Sequence, residues 1–242
     1  MAVSTTKNTV STDRTLDLLQ VVAMELQQPL THIAGLASML KDGVFSAEEL
    51  PAQYRLLEAS STRMQRLIES LLFAGQLQNQ QIKLAFEPVN PASIVHTVTN
   101  ELKPMAADYH RTLNLNITQE LQPVAGNRLA MRHGLYNLLD VVIRSSQSEV
   151  IDILVHHQQA AVMVTIRDDS DRLPAKTLKS LIKRLGNTAQ PIKQIPGSAG
   201  LGLYVASVLA GFMDGQLSLQ TTHGKRIVSL SLPVSDQTSL FV

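Results

Sequence analysis

The chain has 242 residues, 44% of them hydrophobic and 17% charged, with a net charge of +1. This is a globular balance, long enough for two domains that each bury a core, and it gives no bulk electrostatic reason to expect nucleic acid or a membrane surface as partner. The absence of cysteine excludes disulfides, thiolate metal sites and cysteine nucleophiles. The opening stretch MAVSTTKNTVSTDRT is polar and has no apolar signal core. No apolar run reaches the roughly 18 residues needed to span a bilayer, so the expected compartment is the cytoplasm.

Residues 1–14 are rich in Ser and Thr and read as a flexible arm. From Leu16 onward Leu19, Val22, Leu26, Leu30, Ile33, Leu36 and Leu40 recur at helical spacing, with Pro29 expected to bend the helix and Asp42-Gly43 to close it. A second helix carries Tyr54, Leu57, Met64, Ile68 and Leu71, entered either through a Ser46–Glu49 capping box or at Pro51. Residues 15–78 are therefore a helical hairpin. Its thin, heptad-like faces are best buried in a dimeric four-helix bundle, with Leu19, Leu26, Ile33, Leu57, Met64, Ile68 and Leu71 in the core.

Residues 79–91 lose the helical period and read as a linker with a strand-like piece. Beyond it, Ala92–Lys103, Arg128–Ser145, Thr177–Leu185 and Leu203–Met213 are predicted helices. Thr112–Ile117, Ile151–His156 and Ala161–Arg167 are predicted strands, and Gln216–Thr221 with Ile227–Leu232 close the domain as a hairpin around His223-Gly224. The fold class is α+β. Residues 92–235 form an α/β sandwich, and 236–242 are a tail.

Four sequence boxes then occur in a telling order. They are Ala23-Met24-Glu25-Leu26-Gln27-Gln28-Pro29-Leu30, Asn137-Leu138-Leu139-Asp140-Val141-Val142-Ile143-Arg144, Ile166 to Pro174, and Gly200-Leu201-Gly202-Leu203. Together they resemble the phosphoacceptor, asparagine, aspartate and glycine boxes of the cytoplasmic core of sensor histidine kinases, over about residues 12–235. The resemblance implies a dimerisation hairpin followed by an ATP-binding domain of the histidine-kinase type.

It also implies roles that several residues here cannot fill. The phosphoacceptor histidine falls on Met24, whose thioether neither carries phosphate nor takes a proton at neutral pH. Glu25, the family's proton acceptor, is retained beside it. His32 is displaced by about 80° around the helix and two turns along it; it reads as a polar side chain of the bundle, with replacement acceptor as the alternative. The magnesium-coordinating asparagine falls on Val141, which offers no oxygen to a hard cation.

If nucleotide binds at all, the resemblance points to Asn137, Arg144, Asp168, Gly200 and Gly202, with Asp168 at the place of the carboxylate that meets the adenine amino group. Two family glycines have become Ser170 and Arg172, the latter adding bulk at the pocket. Gly200 and Gly202 have two open readings: a phosphate-facing loop at a helix start, or a turn that lets the helix dock closely. The lid, Gly186 to Ala199, holds Pro191, Lys193 and Pro196 and reads as a mobile loop.

The expectation is a non-catalytic, histidine-kinase-like signalling protein of two-component type, with no metal and no cofactor. Weak binding of ATP and magnesium is the alternative. It is expected to be a homodimer through the hairpin and to dock a response-regulator receiver domain, or another signalling protein, around Met24, Gln27 and Gln28. The competing reading is an enzyme with altered chemistry: a weak ATP-dependent kinase, or a phosphatase in which Glu25 and Gln28 align a water. Nucleic acid and a membrane span are not expected.

Overall fold

The computed structural model describes residues 6–118, 121–169, 200–222 and 225–236, with side chains from Val22 onward. The predicted helix Thr177–Leu185, the lid, Ser170, Arg172, the His223-Gly224 turn and the Leu19 side chain lie outside the described residues. Two compact units divide the chain: Met1–Glu69 with Lys183–Leu201, and Ser70–Ile182 with Gly202–Val242.

In the first unit, α1 runs Thr6–Lys41 and α2 begins at Leu50, continuing to Gln78. Helix α1 starts at Thr6 rather than at residue 15, so residues 6–14, read from their polarity as an arm, are helical. Pro29 lies inside α1, where the Thr31 hydroxyl donates to the Gln27 carbonyl at 2.9 Å. Gly43, at φ +65°, closes the helix end in the left-handed region that glycine enters without strain. Half of the Ser46–Glu49 box forms: the Ser46 N–H donates to Glu49 Oε2 at 2.9 Å, but the Ser46 hydroxyl also donates to that oxygen at 2.9 Å, and the Glu49 N–H donates to the Ser46 backbone carbonyl instead of the hydroxyl. The two helices run antiparallel, since His32 meets Ser60 and the earlier Glu25 meets the later Arg63.

The core expected for the hairpin is that of a dimeric bundle, and within one chain Leu57, Met64 and Leu71 are half-buried. Glu25, Pro29 and Leu36 are buried on α1, while Leu26 and Ile33 are half-buried. On α2, Leu67 is 9% exposed, whereas Ile68, expected in the core, is 37% exposed. A single hairpin covers only one stripe of each helix, so the neighbouring apolar stripe stays outward.

In the second unit, β1 (Glu87–Val89) pairs antiparallel with β3 (Val124–Gly126). Helix α3 (Pro91–Asp108) outlasts its predicted end and carries Pro104 inside it. Its buried face, Ile94, Val95, Val98, Leu102 and Ala106, continues through that proline. Strand β2 (Thr112–Ile117), α4 (Arg128–Ser145), β4 (Val150–Gln158), β5 (Ala161–Asp168), α5 (Leu201–Phe212), β6 (Gln216–Thr222) and β7 (Lys225–Pro233) complete the described elements.

The main sheet has the order β2-β4-β5-β7-β6; β2 and β4 are parallel and the other pairs antiparallel. Period-two alternation puts Ile151, Ile153 and Val155 of β4, Val162, Val164 and Ile166 of β5, and Val228, Leu230 and Leu232 of β7 inside. Against such a face α4 offers a run that is buried from Leu135 to Ile143 with one half-buried interruption. This is an α/β sandwich with a mixed sheet.

Candidate functional site

Helix α4 starts at Asn127, whose side chain accepts the Leu129 and Ala130 N–H groups at 3.0 and 3.2 Å. Nearly three turns on, Asn137 is buried and its amide donates to the His133 carbonyl of the same helix at 2.8 Å. One turn further, Val141 is also buried. A Cβ added to Gly202 would lie 2.9 Å from Val141 Cγ2 and 3.2 Å from the Asn137 carbonyl oxygen. Of the two readings left open for Gly202, close docking of α5 on α4 is therefore the one its surroundings require.

Arg144, one turn beyond Asp140, donates Nε to Asp140 Oδ2 at 3.0 Å, and its Nη2 lies 3.0 Å from the same oxygen, with both side chains largely buried. The guanidinium is thereby held along α4.

Asp168 ends β5 on the inward face, in the same alternation as Val162, Val164 and Ile166. Directly opposite it in the β5–β7 ladder is Arg226, which shares the inward face with Val228, Leu230 and Leu232. Arg226 Nε donates to Asp168 Oδ1 at 2.8 Å and Nη2 to Oδ2 at 2.6 Å, a two-pronged pair in which each side chain is 1% exposed. The same guanidinium donates to the Ser145 hydroxyl at 2.7 Å and the Val142 carbonyl at 3.4 Å. These acceptors sit in the last turn of α4, where a helix favours a cation.

Sequence reasoning named Asp168 and missed Arg226. The available signal was parity: counting by twos from Val228 puts the arginine inward, where a buried charge requires a partner.

In the first unit, Met24 is half-buried while Gln27 and Gln28 are exposed. Glu25 is only 2% exposed. Its Oε1 accepts the Gly200 N–H at 3.0 Å and the Leu201 N–H at 3.3 Å, and its Oε2 lies 4.0 Å from Arg63 Nη2. Gly200 has φ +84°, a backbone conformation that leaves its amide free to turn toward the carboxylate at the start of α5. The His32 ring nitrogen Nδ1 is 2.9 Å from the Ser60 hydroxyl on an exposed face.

Residues 15–80 match the His Kinase A (phospho-acceptor) domain, and residues 126–236 match the Histidine kinase-, DNA gyrase B-, and HSP90-like ATPase family. Among curated relatives, the chain is 23% identical to Histidine protein kinase SaeS of Staphylococcus epidermidis over 85% of its length. It is 27% identical to Sensor protein CreC of Escherichia coli over 86%. It spans 59% and 43% of those proteins respectively.

The fold is similar to that of the histidine kinase AdeS of Acinetobacter baumannii, with a TM-score of 0.62 and 22% identity over 88% of this chain and 98% of that one. It is also similar to histidine kinase ThkA in a complex with the response regulator TrrA, with a TM-score of 0.61 and 14% identity over 90% of this chain and 61% of that one. An ATPase domain of this type implies ATP binding, usually with magnesium. Among the described residues no helix is long and apolar enough to cross a membrane. With its phosphoacceptor-type hairpin followed by an ATPase-type sandwich, the chain belongs to the histidine kinase family of two-component signalling.

Proposed function

We propose that this chain is a histidine-kinase-type signalling protein without autokinase chemistry, which works as a dimer through protein contacts. The observation that carries the reading is the pair Met24 and Glu25. A thioether stands where the phosphoacceptor histidine belongs, and the adjacent carboxylate is buried and bonded to two backbone N–H groups. A carboxylate so held serves as a structural anion at a helix start rather than as a proton acceptor. The same burial weighs against the phosphatase alternative, because Glu25 is not placed to align a solvent water with Gln28.

The ATP-binding side chains support the same conclusion. Val141 supplies no oxygen for magnesium, Asn137 donates to its own helix, and Arg144 is paired with Asp140. Histidine kinases dimerise through this type of hairpin and pair with response regulators. The outward stripe containing Ile68 suits a second copy, and the exposed Gln27 and Gln28 beside Met24 suit a receiver domain. ThkA's complex with TrrA is the family precedent for such a partner. The proposed site of action is the cytoplasm, where a receiver-domain partner would be met.

The experiment is incubation of the protein with labelled ATP and magnesium, followed by analysis for acid-labile phosphohistidine. None is expected. Label that vanishes in a His32→Ala variant would overturn the proposal and make His32 the acceptor.

A further inference from the structure

We propose that Arg226 is an internal plug of the base-recognition carboxylate, and so the residue that determines whether this domain distinguishes adenine from other purines. The inference rests on Asp168 being the carboxylate that would meet an adenine amino group. A carboxylate recognises that group by accepting an N–H, and Arg226 supplies the same kind of donor from within the chain. It does so twice, at 2.8 and 2.6 Å, with a formal charge and a planar fork that a single neutral amino group lacks.

Each carboxylate oxygen keeps a second lone pair. The Asp168 side chain is nonetheless 1% exposed, so an incoming donor has no surface by which to reach it. The guanidinium is also fixed from its other side by the Ser145 hydroxyl and the Val142 carbonyl. Adenine therefore gains Asp168 only by displacing a buried arginine that also bonds to Ser145 and Val142.

This plug is independent of the Met24 and Val141 changes. It acts on the base, not on the acceptor or the metal.

The test is binding of ADP and inosine diphosphate to the full chain, read by displacement of a fluorescent nucleotide without magnesium. Inosine carries an oxygen where adenine carries the amino group, so the pair isolates recognition by the carboxylate. Wild type is expected to bind the two alike. Arg226→Ser is expected to tighten ADP, but not inosine diphosphate, by about ten- to a hundredfold, the worth of hydrogen bonds to a charged group. Adding Asp168→Asn should abolish that gain.

Arg226→Gln, which keeps one donor opposite Asp168, should shift ADP in the same direction by less, and serves if the serine variant does not fold. A wild type that prefers ADP by tenfold or more, or a folded Arg226→Ser with no gain, overturns the plug. A gain that survives Asp168→Asn overturns instead the role given to Asp168. Phosphohistidine in the wild type bears on the preceding proposal alone.

Discussion

Replacing Asp168 with alanine leaves Arg226 charged, buried and without its carboxylate. In the wild type the guanidinium makes two bonds to Asp168 and one each to Ser145 and Val142. The substitution removes the two bonds to an anion and leaves two to neutral acceptors. Breaking a buried pair from one side costs about 3–5 kcal/mol, mostly the penalty of the stranded charge. Against a typical domain stability of about 5–15 kcal/mol, that is a large fraction. At about 2–4 °C per kcal/mol for a unit of this size, the melting temperature should fall on the order of 6–20 °C.

Replacing both partners with apolar residues, Asp168→Leu with Arg226→Met, should recover most of the loss. Ser145 keeps its bond to the Val142 carbonyl in the absence of the arginine. Urea unfolding of the wild type, both single variants and the double variant closes the cycle. An Asp168→Ala cost below about 1 kcal/mol, the size of an exposed pair, refutes the burial argument.

Other outcomes follow from the same geometry. Gly202→Ala should destabilise the second unit by about 1–3 kcal/mol through contact with Val141 Cγ2 and the Asn137 carbonyl; combining it with Val141→Ala should relieve part of that cost in urea unfolding, and no relief contradicts the packing reading. Ile68→Glu should spare helix content but dissociate the dimer, because the side chain is outward in a single chain; a dimer unchanged in sedimentation sinks the interface assignment. Glu49 is held below the usual glutamate range, first by the Ser46 N–H and then by the Ser46 hydroxyl. The capping turn is therefore stabilised above the ordinary glutamate pKa, and that support is lost as pH falls through the lowered value. An NMR titration of Glu49 in or above the ordinary range, or an acid response unchanged by Glu49→Gln, counts against the box.

The elements most legible in the sequence were those whose period matched one buried face. Arg128–Ser145 and Thr112–Ile117 come directly from spacing, as do the paired strands around them. The three-residue strand Val124–Gly126 is too short to show a period, and it exists because its backbone bonds to β1. On the hairpin, apolar spacing found both helices; the stripe carrying Ile68 was assigned to a dimer core, and in the single chain it faces outward. Nothing in the run around Leu26 says that Glu25 will be buried, since its partners, Gly200 and Leu201, are distant in sequence. Arg226 is a different kind of miss. The expected strand began at Ile227, one residue short of it, and its meaning depends on the cross-strand register that puts Asp168 opposite.

In the proposed function several independent losses, not one, remove the kinase chemistry. Met24→His restores the acceptor and leaves Val141, the engaged Glu25 and the Arg226–Asp168 pair in place. Incubated with labelled ATP and magnesium, this variant is predicted to give no acid-labile phosphohistidine, like the wild type. Stoichiometric label on the introduced histidine would contradict the account, because a single restored side chain would then have found a working nucleotide site.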